Sequence, residues 1–71
     1  MEKLIRLIEN YVESVEIKAT SKFNDDLGMS SFDIMCLITD IEVELGVKLK
    51  PTDFIIHNTV GKIAVYIDSL K

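Results

Sequence analysis

The chain has 71 residues, 48% of them apolar, and 12 acids against 8 bases leave a formal net charge of −4. One domain of this length buries only a thin core, and with a single cysteine, Cys36, it has no intramolecular disulfide to brace it. That cysteine use fits a reducing, cytoplasmic setting. The apolar runs fall far short of the roughly 20 residues that span a bilayer, and Glu2 stands where a secretion signal has its basic region.

Residues 2–15 carry Leu4, Leu7, Ile8, Tyr11, Val12 and Val15 at helical spacing, which predicts an amphipathic helix with Lys3, Arg6, Glu9, Asn10 and Glu13 on its polar face. Residues 16–29 lose that period. Thr20, Ser21, Asn24, Asp25, Asp26 and Gly28 are turn and cap formers. The isolated Ile17, Phe23 and Leu27 predict that this long stretch is pinned onto a core as an ordered crossover.

Ser30 is a good N-cap for the next helix, and Asp33 three residues on completes a capping box with Asp in place of Glu or Gln. Ser31 then falls at the first helical position, exposed at the positive end of the helix dipole, where a phosphate group is stabilised. The helix is expected over residues 31–46, with Gly46 as its stop. At about 100° per residue, Ile34, Leu37, Ile38, Ile41 and Leu45 form its core stripe. Phe32, Met35, Cys36 and Val43, with Thr39 among them, cluster on the far side next to Asp40 and Glu42. That strip is either buried by neighbouring elements or offered to a partner.

From Asp25 to Gly46 there are six acids (Asp25, Asp26, Asp33, Asp40, Glu42, Glu44) and no Lys or Arg, leaving six acids and eight bases elsewhere. The negative charge therefore belongs to the central segment. It disfavours nucleic acid and suits a protein partner with a basic patch. Val47 and Leu49 continue the core. Pro51 opens a short helix over 51–56, with Phe54 and either Ile55 or Ile56 packing inward. Thr59 caps a last helix over 60–70, with Val60, Ile63, Ala64, Ile67 and Leu70 on its apolar stripe. Tyr66 lies nearer the edge, and Gly61 weakens the first turn slightly. The whole reads as an all-α, small four-helix bundle over residues 1–71, with a long loop between the first two helices and a short third helix.

Little in the chain suggests catalysis. The lone His57 sits beside Asn58 in a connection, and no Gly-x-Ser-x-Gly elbow surrounds Ser31. One Cys and one His cannot make a structural zinc set, and the acids lack calcium-loop spacing. Asp25-Asp26 reads as a solvated loop. On chemistry alone, Ser30 and Ser31 are also compatible with a simple cap and an exposed neighbour.

Phe23-Asn24-Asp25-Asp26-Leu27-Gly28 followed by Ser31 resembles the phosphopantetheine motif of the acyl carrier protein family, which runs Phe-x-x-Asp-Leu-Gly, a spacer, then Asp-Ser-Leu. Leu45-Gly46-Val47-x-Leu49 resembles the end of the family's second helix, and Thr59-Val60-Gly61 the start of its fourth. The resemblance implies that a phosphopantetheinyl transferase attaches 4′-phosphopantetheine from coenzyme A to Ser31. The arm then holds an acyl or aminoacyl group as a thioester for a loading enzyme and downstream synthase enzymes. It implies a monomeric carrier that performs no catalysis and does not insert into membranes. Phe32, Asp33, Met35, Cys36, Thr39, Asp40, Glu42 and Val43 are the expected partner contacts.

The chain departs from the family pattern with Ser30 for Asp, Phe32 for Leu, and apolar Ile34, Cys36 and Val43 where fatty-acid carriers are commonly polar. Those departures imply a dedicated pathway with one or a few partners rather than the housekeeping fatty-acid role; fatty acyl, polyketide, aminoacyl, peptidyl and D-alanyl carriers share this chain plan. Ile34, Ile38, Phe54 and Ile63 either line a cargo cavity or fill a solid core. The competing class is a helical interaction module that is never modified.

Overall fold

Four helices follow one another among the described residues: α1 (Glu2–Glu9), α2 (Ser31–Leu45), α3 (Pro51–Ile56) and α4 (Val60–Leu70). The computed structural model describes residues 1–13 and 16–71, and no strand occurs among them. The all-α bundle, its long first connection and its short third helix are as the sequence predicts.

Helix α1 buries Leu4 and Ile8, one turn apart, with Ile5 and Leu7 half-buried beside them. It stops at Glu9, well short of the expected end near residue 15. The amides of Asn10 and Tyr11 donate to the carbonyls of Leu7 and Ile8, three residues back, so the last turn tightens. The chain then leaves the helix axis, and the Tyr11 phenol reaches Asp40 on α2. Tyr11, Val12 and Ile17 still pack on the core, but from irregular backbone. The apolar period thus outlasts the helix. Val15, the end of the expected stripe, lies outside the described residues.

The crossover into α2 is ordered by its own polar groups. Asp26 Oδ2 accepts the Lys22 amide at 2.8 Å, and the amides of Asp26 and Leu27 return to the Lys22 carbonyl at 3.1 and 3.0 Å. Gly28 takes a left-handed φ of 65° to close this turn. Phe23, Leu27 and Met29 are buried, so the loop is nailed to the core as expected; Met29 is a core residue that periodicity did not mark.

The same loop is stitched to α4. The Val60 amide donates to Ser21 O at 3.0 Å, Gly61 to Ala19 O at 2.8 Å, and Lys22 pairs with Thr59 in an isolated antiparallel bridge. Thr59 Oγ1 accepts the Lys62 amide at 3.2 Å. Helix α4 therefore starts with its first three amides satisfied. A Cβ on Gly61 would lie only 3.0 Å from the Ala19 carbonyl oxygen. The glycine permits the close approach of loop to helix, a role its sequence position did not reveal.

Helix α2 is capped at both ends. Ser30 Oγ accepts the Asp33 amide and Asp33 Oδ2 accepts the Ser30 amide, both at 3.1 Å. Gly46 is the left-handed stop, with φ 73° and its amide on Glu42 O. In α3, Pro51 takes the first position and Asp53 Oδ2 accepts the Lys50 amide at 2.8 Å. Phe54 packs edge-to-face on Phe23, with ring centroids 5.1 Å apart. Neither Ile55 nor Ile56 packs inward, contrary to expectation; both are exposed. A helix of six residues turns one narrow face to the core, and Phe54 fills it.

In α4, Val60, Ile63 and Ile67 are buried and Ala64 is half-buried. Leu70, assigned to the same stripe by spacing, is exposed because the helix runs past the end of the core. Leu37 and Ile41 of α2 meet Ile8, Val60 and Ile63 at the centre, all fully buried. Burying each such side chain contributes about 1.5–3 kcal/mol.

Candidate functional site

Ser31 begins α2, and the box formed by Ser30 and Asp33 fixes where that helix begins. Because Ser30 does the capping, the Ser31 hydroxyl has no hydrogen bond among the described residues, and the residue is exposed. The amides of Ser31 and Phe32 are likewise unpaired among the described residues. A hydroxyl at this point is presented to solvent, beside free N–H groups that favour an anion.

Among the described residues no base hydrogen-bonds this hydroxyl. His57 stacks on Tyr66, with centroids 4.4 Å apart and planes 17° from parallel. It lies outside the groove that adjoins Ser31. Among the described residues no group of three or more metal-ligating side chains gathers. Asp26 is occupied as the turn acceptor for Lys22, and both Asp25 and Asp26 are exposed in the loop.

The groove beside Ser31 holds about 270 Å³ and runs between α2, α3 and the crossover. Its floor is apolar, with Phe23, Ile34 and Phe54, and Met35, Pro51 and Ile55 along its sides; Lys22, Asn24, Asp25 and Asn58 supply its polar rim. Of the four residues considered for a cavity, Ile34 and Phe54 line this groove. Ile63 is fully buried elsewhere in the core, and Ile38 packs half-buried against it. An exposed hydroxyl thus opens onto a groove with an apolar floor and a polar rim, a shape that accommodates an elongated ligand with both apolar and polar parts.

The eight expected partner contacts divide into two stripes of α2. Phe32, Met35, Thr39 and Val43 point outward with Glu42 beside them. Phe32 is 73%, Met35 58% and Val43 74% exposed, so neighbouring elements do not cover this strip. Glu42 pairs loosely with Lys48 at 3.8 Å across an exposed surface, a contact of little energetic weight. Asp33, Cys36 and Asp40, spaced three and four residues apart, form a half-buried flank toward the end of α1.

Tyr11 faces that flank and donates its phenolic O–H to Asp40 Oδ2. This hydrogen bond, then burial and the neighbouring negative charge of Asp40, push the phenol up to about 12 from its usual 10. Tyr11 and Asp40 are 29 residues apart, and no sequence signal joins them. The groove's polar rim was also missed, because Lys22 and Asn24 of the crossover meet Asn58 of the α3–α4 connection only in the fold.

A family model described as a phosphopantetheine attachment site matches residues 2–67 of the chain. The acyl carrier protein of Thermotoga maritima is 39% identical over 57 residues, which cover 80% of this chain and 70% of that protein.

Proposed function

The chain belongs to the phosphopantetheine-attachment family of acyl carrier proteins, and we propose that Ser31 is the residue that receives the arm. Its prosthetic group is covalent 4′-phosphopantetheine, and its role is to carry acyl groups as thioesters rather than to catalyse their reactions. When attached, the arm supplies the thiol on which the thioester forms.

The observation that carries the assignment to Ser31 is its exposure at the first residue of α2, released from capping duty by Ser30 and open to the groove. The chain's own contribution is positional. The capping box holds the serine on a rigid helix end, and the free first-turn amides favour the phosphate beside it. Lys22, Asn24 and Asn58 offer polar partners along the arm's path, while Ile34 and Phe54 offer an apolar floor for its cargo.

The outward strip of Phe32, Met35, Thr39, Glu42 and Val43, with Asp33, Cys36 and Asp40 at its flank, is the docking face in this reading. A phosphopantetheinyl transferase, a loading enzyme and downstream synthase enzymes are its partners. The apolar character of that strip supports a dedicated pathway with one or a few partners, more than service as a general fatty-acid carrier. Residues 1–71 act as one carrier unit, monomeric and cytoplasmic, with fatty acyl, polyketide, aminoacyl or D-alanyl cargo.

Incubation with coenzyme A, magnesium and a broad-range transferase, followed by mass spectrometry, tests the assignment. One phosphopantetheine mass is expected on the chain and none on Ser31→Ala. A chain that gains no mass overturns the assignment and favours an unmodified interaction module; a Ser31→Ala variant that still gains the mass overturns Ser31 as the attachment residue.

A further inference from the structure

Helix α2 offers a partner only acidic or neutral side chains, since no Lys or Arg occurs between Asp25 and Gly46. Within that face the acids are not equivalent. Glu42 is exposed and pairs loosely with Lys48. Asp40 is half-buried and is the only α2 side chain tied to another element by a side-chain hydrogen bond among the described residues. The donor, Tyr11, stands just past the end of α1, where the helix has already unwound. The unwinding is what frees Tyr11 to lean across to α2.

We propose that Tyr11 is a positioning residue for recognition by the phosphopantetheinyl transferase: its phenol fixes the Asp40 carboxylate at the flank of the docking face, leaving Oδ1 as a pre-oriented acceptor for a cationic side chain of that enzyme. The inference rests on the carrier reading above. A free aspartate on a helix surface samples several rotamers, and ordering it on binding costs affinity. Tyr11 removes that cost beforehand. One oxygen is already engaged, so the incoming cation meets a single oriented oxygen at the α1 edge of the face. The docking surface therefore extends from α2 to the residue that closes α1. It places a fixed charged contact on one side of a mainly apolar strip, which sets the orientation in which the transferase seats.

A purely structural Tyr11 also explains the bond, so the test needs a readout that stability alone does not move. With the full chain, coenzyme A and a broad-range transferase, KM for the carrier and kcat are measured for wild type, Tyr11→Phe, Asp40→Asn and the double variant. Thermal melts are recorded alongside. Asp40→Asn is expected to raise KM about fivefold and Tyr11→Phe about threefold, with kcat retained. The double variant is expected to match Asp40→Asn alone, because Tyr11 acts through Asp40. At high salt the differences shrink as the charge contact is screened.

A Tyr11→Phe variant that melts lower but keeps the wild-type KM overturns the proposal, as does an Asp40→Asn variant with wild-type KM. Full additivity of the two substitutions in KM also overturns it. If the wild type accepts no phosphopantetheine at all, the carrier reading fails and this inference falls with it. That outcome is distinct from a modified protein whose KM ignores Tyr11.

Discussion

Gly61→Ala tests whether the loop stitch or helix propensity governs the start of α4. On propensity alone the substitution stabilises: alanine exceeds glycine by about 1 kcal/mol in a helix interior, and somewhat less at the second helical position. The packing opposes it. The added Cβ lies 3.0 Å from the Ala19 oxygen and 3.2 Å from the Ala19 Cβ, where ordinary contact begins at 3.4 Å. The carbonyl must retreat by 0.4 Å, the difference between 3.4 and 3.0 Å.

That carbonyl is not free to move. It accepts the Gly61 amide at 2.8 Å, and the next stitches, Val60 to Ser21 and Lys22 to Thr59, hold the same loop segment in place. Overpacking of this kind costs about 1–3 kcal/mol, which exceeds the propensity gain. The expected net loss is about 1 kcal/mol, a fall in Tm of about 4–8 °C for a domain of this size. Thermal unfolding followed by circular dichroism reads it directly. A Gly61→Ala variant that melts at or above the wild-type temperature refutes the packing argument and returns the position to simple propensity.

Ser30→Ala removes the oxygen that caps the Asp33 amide and is expected to cost about 1 kcal/mol, seen in a urea melt, while the intact chain's coenzyme A-dependent mass gain persists because Ser31 remains. Ile63→Ala opens a cavity at a fully buried position and is expected to cost about 2–5 kcal/mol, against a total of only about 4–10 kcal/mol for a chain this long; denaturant midpoints report it. The Tyr11 phenol ionises near 10 when unfolded and near 12 when folded. Its stabilising contribution is therefore complete below about pH 10 and disappears as pH rises toward 12. Unfolding free energy measured across that window should fall less steeply for Tyr11→Phe, and Asp40→Asn should bring the phenolate absorbance transition down toward 10.

Local signals carried the sequence a long way. The Ser30–Asp33 box, the Gly46 stop, Pro51 and the Thr59 cap each act within one helical turn, so their partners are visible as spacing. Core stripes were legible wherever a helix was long enough to repeat its period, as in α2. They failed where irregular backbone kept an apolar rhythm, as at Tyr11 and Val12, and where a helix was too short or ran beyond its neighbours, as at Ile56 and Leu70. The exposed placement of Ser31 at the first residue of α2 was legible because its environment is its own helix end. The Tyr11–Asp40 bond, the Ala19–Gly61 contact and the groove rim of Lys22, Asn24 and Asn58 join residues far apart in the chain. Only the packing of the elements brings such groups together.

If the exposed apolar strip on α2 is the docking face proposed above, it has a kinetic meaning for a carrier. Fifteen residues of helix extend about 22 Å, and a contact built on one face of such a rod falls among the small interfaces below roughly 1,200 Å² that turn over quickly. Differences among related complexes of this kind lie mostly in how fast they come apart. In the proposed docking reading, Phe32, Met35 and Val43 make the apolar contacts to a partner, and the polar Thr39 interrupts them before they form a continuous ridge. A protein that must leave each enzyme in order to reach the next is served by brief residence. Filling that gap with leucine would lengthen each visit, and the cost would be traffic rather than affinity.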